Sequence, residues 1–204
     1  MQVDIFNTDK KYNIIYADPP WQFKAWSKKG LVRSAENHYS TMNIEDICTL
    51  PVASLAEENC VLFMWVTFPT MQDAFRVIKA WGFEYKTVAF VWTKQNKKKP
   101  SLFLGMGRWT RSNAEICLLA TRGKPKRISA KVRQVIVSPI RAHSQKPNET
   151  RTRIKQLVGG NAIELFARNN IDGWDCWGNE VGKMDEIIDT EEVQGQSSIF
   201  DFIE

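Results

Sequence analysis

The stretch "NIIYADPPWQFKAW", Asn13 to Trp26, passes from an apolar segment into an acid, two prolines and an aromatic residue. Residues Tyr12 to Ala17 have the length and apolarity of a buried strand, which places Asp18 at its carboxyl end. A carboxylate at the end of a buried strand is unfavourable unless a polar group meets it. The sequence therefore predicts that Asp18 has a polar partner or ligand.

Apolar segments of strand length alternate with segments of helical periodicity along the rest of the chain. The predicted strands are "CVLFMWVT", "YKTVAFVWTK", "AEICLLATRG", "QVIVSPI" and "AIELFAR". The predicted helices are "MNIEDICTLPVASL" with Asn43 as N-cap, "TMQDAFRVIKAWGF" ended by Gly82, and "KPNETRTRIKQLVGG". Because the strands are continuously apolar, they predict an α/β fold with a mostly parallel sheet and helices on both faces.

The Asp-Pro-Pro-Trp motif is the first candidate for chemistry, because ligands of open α/β sheets gather at the carboxyl ends of strands. Pro19 and Pro20 remove two backbone donors, so we expect Asp18 and the Pro19 carbonyl to accept hydrogen bonds from one NH2 group. The exocyclic amine of a nucleobase is such a group, and Trp21 offers a face for its ring. Asp-Pro-Pro alone is more typical of a turn. The preceding strand and the following aromatic favour a catalytic motif.

Charge is distributed unevenly. Residues 1–183 contain all 28 basic residues and 16 of the 23 acidic ones, a formal charge of +12, whereas the whole chain carries +5. The segment Trp92 to Arg133 has twelve Lys or Arg and a single acid, Glu115. A lysine run can be a solvated loop, but Trp92, Phe103 and Trp109 are interleaved here, which favours a nucleic-acid partner.

Length and composition predict a single catalytic domain, residues 1–183, followed by an acidic, flexible tail, residues 184–204, that ends in an apolar peptide. No apolar run approaches the ~20 residues of a membrane span. A secretory signal is not visible either, so we expect a cytoplasmic protein without membrane contact. The four cysteines have no metal or disulfide spacing and are expected to be reduced: Cys48, Cys60, Cys117 and Cys176.

Several blocks in the same order resemble one family. Besides "IIYADPPW" they are "HYSTM", "FMWVT", "WGFEYKTVAFVWTK", "NAEICLLATRGKP", "HSQKPNE", "IELFAR" and "GWDCWGNE". They are similar to the MTA-seventy family of adenine N(6)-methyltransferases, which is related to the eukaryotic messenger-RNA adenosine methyltransferases. The resemblance covers roughly Asp4 to Val181 and implies a Rossmann-like methyltransferase that uses S-adenosylmethionine.

The resemblance assigns roles to individual positions. It implies that Asp18 contacts both the target amine and the methionine end of the cofactor, within the catalytic motif Asp18, Pro19, Pro20 and Trp21. The remaining cofactor positions are Asp4 and Ile5 for the adenine, Lys146 for the carboxylate, and Arg168, Asn169, Asn179 and Glu180 for the ribose and adenosine. From the residues alone, Lys146 could instead open a helix before Pro147, and Arg168 could cap a strand.

The target base is expected to be flipped or single-stranded, because an adenine amine inside a duplex cannot reach the cofactor. By resemblance, Tyr39 and Glu115 lie near this base, although Glu115 could simply pair with a neighbouring lysine. The aromatic and basic loops from Trp21 to Tyr39 and from Lys94 to Arg111 are the candidates for holding it. We therefore assign substrate binding to Trp21, Tyr39, Glu115, Arg108 and Arg111.

The resulting hypothesis is an adenine N(6)-methyltransferase that acts on DNA, because stand-alone chains of this kind are typical of bacteria and their phages. The alternatives are RNA adenosine methylation, cytosine N(4)-methylation and a catalytically silent nucleic-acid-binding subunit. No metal is required for methyl transfer. The resemblance to the family also implies a homodimer.

The end of the tail, "QSSIFDFIE", suggests a further partner. Gln196, Ile199 and Phe200 resemble the short peptide with which bacterial proteins bind the replication sliding clamp. Docking of the same apolar residues on their own domain is an equally good interpretation.

Overall fold

The computed structural model describes residues 1–22, 41–107, 109–141, 145–179 and 181. These residues contain seven strands, four helices and a 3-10 turn at Phe68–Thr70. The strands are β1 (Tyr12–Ala17), β2 (Ala56–Val66), β3 (Glu84–Gln95), β4 (Ala114–Arg122), β5 (Val135–Pro139), β6 (Ala162–Leu165) and β7 (Asp175–Trp177). The helices are α1 (Ile44–Thr49), α2 (Val52–Leu55), α3 (Met71–Ala80) and α4 (Glu149–Leu157).

The seven strands form one sheet in the order β5-β3-β4-β2-β1-β6-β7. β1 lies between β2 and β6 and pairs with both in parallel. β4 is antiparallel to both of its neighbours, β2 and β3, and the other described pairs are parallel. The predicted mostly parallel sheet is therefore confirmed. β4 departs from it because β3 returns directly into it without a crossover helix, which requires an antiparallel pair.

Both faces of the sheet are covered, as predicted. Ile15 and Ala17 of β1 point to one face, where they belong to the apolar cluster that also contains residues of α1, α2 and α3. Ile14 and Tyr16 point to the other face and share a cluster with Ile154 of α4. Burial of alternate residues on two covered faces explains why the strand sequence is continuously apolar. The fold is a Rossmann-like α/β arrangement.

One predicted helix is split in two by a proline. Asn43 is the N-cap of α1 as expected, since its Oδ1 accepts a hydrogen bond from the Asp46 amide at 2.8 Å. α1 then ends at Thr49, because Leu50 precedes Pro51 and adopts an extended ψ of 139°. A residue before proline is disfavoured in the helical region. A second helix, α2, starts after Pro51.

The ends of the other two predicted helices bear on the site. α3 ends at Ala80, and Gly82 follows with a φ of +79°, a conformation that favours glycine. α4 begins at Glu149, three residues after Lys146, so Lys146 is not part of the helix. Strand β7 was not predicted, since a three-residue edge strand leaves too short an apolar pattern.

The described helices are too short or too polar to cross a membrane. No disulfide joins the four cysteines, and Cys60, Cys117 and Cys176 are buried.

Candidate active site at the carboxyl ends of β1 and β6

Asp18 lies where the sequence placed it, at the carboxyl end of β1. The following turn is compact: the Trp21 amide donates to the Pro19 carbonyl at 2.8 Å, and the Met42 amide donates to the Pro20 carbonyl at 3.0 Å. Although the two prolines remove backbone donors, a three-residue turn brings the Trp21 amide back onto the Pro19 carbonyl. A carbonyl oxygen has two lone pairs, so Pro19 retains one acceptor site.

Trp21 anchors this turn in the core. Its side chain is only 7% exposed, and its indole Nε1 donates to the Trp65 carbonyl at 3.0 Å. The prediction that Trp21 presents an open ring face to a base is not met in this structure, because the indole is packed in the same apolar cluster as α1–α3. Its contribution here is to fix the direction in which the chain leaves Asp18.

Lys146 is the polar partner that the position of Asp18 requires. Its Nζ lies 2.8 Å from Oδ1 and 2.7 Å from Oδ2 of Asp18, and its side chain is 8% exposed. The same Nζ lies 3.4 Å from Glu115 Oε2 and 5.7 Å from the centre of the Trp65 ring. A buried ammonium group needs such compensation. Lys146 is therefore fixed between two carboxylates.

Glu115 extends this arrangement to the neighbouring strands. It lies on β4 opposite Trp92 of β3, and Lys94 of β3 forms an ion pair with its Oε1. Burial would raise the pKa of Glu115, but Lys146 and Lys94 outweigh it, so the pKa lies below its usual value. We call Asp18, Lys146, Glu115 and Lys94, which alternate in charge from β1 to β3, the charge network.

The charge network makes a prediction about pH. A carboxylate with a lowered pKa in the folded state stabilises the protein above its ordinary pKa, near 4.5 for glutamate, and this contribution disappears as the pH falls. We expect the free energy of unfolding of Glu115→Gln to fall less steeply than that of wild type between about pH 5 and pH 3. Urea unfolding at several pH values measures both slopes. Glu84→Gln, an exposed glutamate on β3, is the control; equal slopes for Glu115→Gln and wild type would contradict the assignment.

A second buried ion pair lies beside the first. Arg151 of α4 binds Glu164 of β6 with both Nε and Nη2, each at 2.7 Å from a carboxylate oxygen. The guanidinium lies 5.7 Å from the centre of the Tyr16 ring, and the Tyr16 hydroxyl accepts a hydrogen bond from Trp65 Nε1 at 2.6 Å. Burial lowers the pKa of Arg151, but Glu164 more than reverses this and raises it. This bidentate pair attaches α4 to the sheet at the site.

Sequence reasoning missed Arg151 and Tyr16. A signal was available: Glu164 stands in the apolar run "AIELFAR", and a buried carboxylate in a strand implies a cation nearby. Which of the basic residues of α4 faces the sheet depends on how that helix is rotated, which the sequence does not give.

A cavity lies between the carboxyl ends of β1 and β6. Phe166, directly after β6, has a φ of +61°, a strained conformation for a residue with a side chain, and it turns the chain at the rim of this cavity. The structure brings several of the predicted residues together here. The lining residues are Tyr16, Asp18, Gln145, Lys146, Arg151, Glu164, Phe166, Arg168 and Asn169.

The other predicted cofactor residues lie farther along the same edge of the sheet. Residues 1–3 run beside β7, where the Val3 amide donates to the Cys176 carbonyl at 2.9 Å. Asp4 follows with an exposed side chain that accepts a hydrogen bond from the Phe6 amide, whereas the Ile5 side chain is buried in the core. Asn179, just after β7, is exposed. None of these three lines the cavity at Asp18.

The predicted substrate residues are only partly described. Glu115 belongs to the charge network, and Arg111 donates from Nε to the Gly105 carbonyl at 2.7 Å. Tyr39, Arg108, Glu180 and the tail residues Gln196, Ile199 and Phe200 lie outside the described residues.

The mostly parallel sheet, the acid at the carboxyl end of its interior strand β1 and the charged cavity beside it form the Rossmann-like arrangement expected of a methyltransferase. The family model described as MT-A70 matches residues 12–180. The chain therefore belongs to the MT-A70 family, in agreement with the resemblance of its sequence blocks.

Relatives of this chain include a bacterial and several eukaryotic proteins. The type II methyltransferase M.MunI of Mycoplasma sp is 36% identical over 190 residues, which cover 84% of this chain and 78% of that protein. The N(6)-adenine-specific methyltransferase METTL4 of Mus musculus is 32% identical over 90% of this chain and 40% of its own length. The N(6)-adenosine-methyltransferase catalytic subunit METTL3 of Homo sapiens is 29% identical over 84% of this chain and 28% of its length. The chain thus spans less than half of these two eukaryotic relatives.

MT-A70 methyltransferases use S-adenosylmethionine, and the cavity at Asp18 is lined by groups that can be compared with those of this cofactor. The lining contains a cation (Lys146), an anion (Asp18), and the guanidinium of Arg168 with the amide of Asn169, which are the group types that a carboxylate, an ammonium group and ribose hydroxyls require. The donor and acceptor types that line the cavity therefore fit the cofactor.

Proposed function

We propose that this protein transfers a methyl group from S-adenosylmethionine to the N6 amine of adenine in DNA. The observation that carries the proposal is the Asp18 carboxylate, fixed beside a charged cavity at the end of β1 and next to the Pro19 carbonyl in the chain. Two neighbouring acceptors suit an NH2 group, which has two hydrogens to donate. The similarity to a type II methyltransferase supports DNA as the substrate.

The proposed role of Asp18 is to position and polarise the amine. A hydrogen bond from the amine to the carboxylate raises the electron density on nitrogen, and the same carboxylate can accept the proton that nitrogen loses on methylation. S-adenosylmethionine supplies an electrophilic methyl group when bound. The protein contributes mainly orientation of the two reactants, for which no covalent intermediate is needed.

Lys146 connects the two carboxylates of the proposed site. It binds both oxygens of Asp18, and it also contacts Glu115. It can therefore release one Asp18 oxygen to an incoming amine while two carboxylates still compensate its charge. We propose that Lys146 binds the cofactor carboxylate from this position.

The remaining proposed cofactor residues follow the edge of the sheet away from Asp18. Arg168 and Asn169 line the cavity after β6. Asp4, Ile5 and Asn179 lie beyond it, next to β7. We propose from this order that the methionine end of the cofactor lies at β1 and its adenosine end toward β7.

The experiment that tests the proposed function is methyl transfer from labelled S-adenosylmethionine to matched DNA and RNA oligonucleotides. Products are digested to nucleosides and separated. We expect label in N(6)-methyldeoxyadenosine. Label only in N(6)-methyladenosine would identify RNA as the substrate. Label in N(4)-methyldeoxycytidine would identify cytosine, rather than adenine, as the target base. Cofactor binding without label in any product would identify a silent subunit.

RNA is the second candidate, and the similarity to METTL3 of Homo sapiens favours it. DNA ranks first because the bacterial relative is more similar and more nearly the same length as this chain. A cytoplasmic location, a homodimer and clamp binding by the tail remain predictions.

A further inference from the structure

The loop of residues 96–113, described except for residue 108, projects from the same edge of the sheet as Asp18. Ala17 lies level with Met64 of β2, which pairs with Leu118 of β4. β4 begins four residues beyond this level, at Ala114, so the loop starts about 13 Å farther out along the strands. The loop therefore overhangs the edge on which the candidate active site lies.

This loop has a defined shape. The Phe103 amide donates to the Lys94 carbonyl at 2.8 Å, and the Gly105 amide donates to the Ser112 carbonyl at 2.9 Å. A Cβ added at Gly105 would lie 2.3 Å from the Ser112 carbonyl oxygen, and one at Gly107 would lie 1.8 Å from that of Thr110. At these two glycines the sides of the loop lie so close together that a residue with a Cβ atom would clash with the opposite backbone.

The loop presents apolar side chains to solvent. Trp109 is 93% exposed, and Leu102, Leu104 and Met106 are each more than half exposed. Phe103 is partly buried, and Trp92, which the sequence suggested as a third aromatic of this surface, lies in the core with 3% exposure. Four large apolar side chains exposed on one shaped loop indicate a binding surface.

Charge identifies the kind of partner. Lys97, Lys98, Lys99 and Arg111 lie in the same loop, and the sequence contains no acid between Glu84 and Glu115. A second copy of the chain in a two-fold contact through this loop would bring these cations against one another. The cations of the loop attract a polyanion instead. A DNA duplex is such a polyanion, and the space between its base pairs can receive the apolar side chains of the loop.

We propose that this loop is a wedge for opening the duplex: Trp109 and its apolar neighbours enter the base stack as the target adenine leaves, and the lysines bind the flanking phosphates. This inference rests on the proposed function. Removing a base from the stack costs a few kcal/mol, and apolar side chains inserted between base steps offset such a cost in other DNA-binding proteins. The loop lies on the active-site edge, where the flipped base must go.

Two DNA substrates separate opening of the duplex from chemistry. One is a duplex with the target adenine paired, and the other is the single strand of the same sequence. We expect Trp109→Ala and Leu104→Ala to lower kcat/KM at least tenfold on the duplex and to leave it within about twofold on the single strand. Ile128→Ala is the matched control, since Ile128 is 69% exposed but lies next to Gly159, away from the Asp18 edge.

A second measurement does not depend on methylation. 2-Aminopurine at the target position becomes more fluorescent when it leaves the stack, so wild type should raise the signal of the duplex and Trp109→Ala should not. The wedge would be overturned if the variants lost kcat/KM equally on both substrates. It would also be overturned if their kinetics and fluorescence matched those of wild type. A loss that accompanies conversion of a dimer to a monomer in sedimentation would assign the surface to a second copy instead. If wild type methylates neither DNA substrate, the proposed function is wrong. The wedge is then also wrong if wild type leaves the 2-aminopurine fluorescence of the duplex unchanged.

Discussion

Asp18→Asn is expected to lower the rate of methyl transfer by a factor of at least about a hundred, the usual effect of removing one charge-stabilising group from an active site. Asparagine keeps one oxygen but replaces the other by an NH2 group, which cannot accept a proton or a hydrogen bond. That NH2 group would also face Lys146, which contacts both oxygens in the wild type. A single-turnover assay measures the effect on chemistry without product release.

The control for this variant is Asp9→Asn, which makes the same change at an exposed position. It should methylate at the wild-type rate. Because Lys146 retains Glu115 as a partner, Asp18→Asn should remain folded, and its far-UV circular dichroism should match that of wild type. A folded Asp18→Asn with wild-type turnover would remove Asp18 from the mechanism.

Arg151→Met is expected to produce the largest loss of stability among the charged residues of the site. It leaves Glu164 buried without its bidentate partner, and breaking a buried ion pair in this way costs about 3–5 kcal/mol. For a domain of this size that corresponds to a fall in Tm on the order of 10 °C. Thermal unfolding followed by circular dichroism measures it directly.

Two variants test the cause of that loss. Arg76→Met removes an arginine whose side chain is 58% exposed and pairs with exposed acids, so it should leave the Tm close to that of wild type. The double variant Arg151→Met, Glu164→Leu removes both buried charges and should recover much of the stability. If the double variant is as unstable as Arg151→Met, the loss comes from packing of the arginine rather than from the unpaired carboxylate.

The central part of the fold was predictable because its signals are local. Strand β1 lies where the apolar run from Tyr12 to Ala17 placed it, with Asp18 at its end. The N-cap at Asn43 and the glycine after α3 were also predictable from the sequence, since both depend on one residue and its immediate neighbours. Each of these features needs no knowledge of what the element packs against.

The parts that sequence reasoning missed depend on tertiary packing. Trp21 was expected at an open face, but whether an indole is buried depends on the strands beneath it, here through Trp65. The pairing of Arg151 with Glu164 depends on the rotation of α4. The sequence predicted that Asp18 has a polar partner. That Lys146 also contacts Glu115 depends on the register of β4, which the sequence does not give.

The antiparallel β4 has an evolutionary consequence. Because β3 and β4 are joined directly by the 96–113 loop, residues can be inserted or exchanged there without altering the order of the strands. Doubling the length of such a loop adds only about 0.6 kcal/mol of closure entropy. This loop can therefore change in length and sequence while the order of the strands and the position of Asp18 are retained.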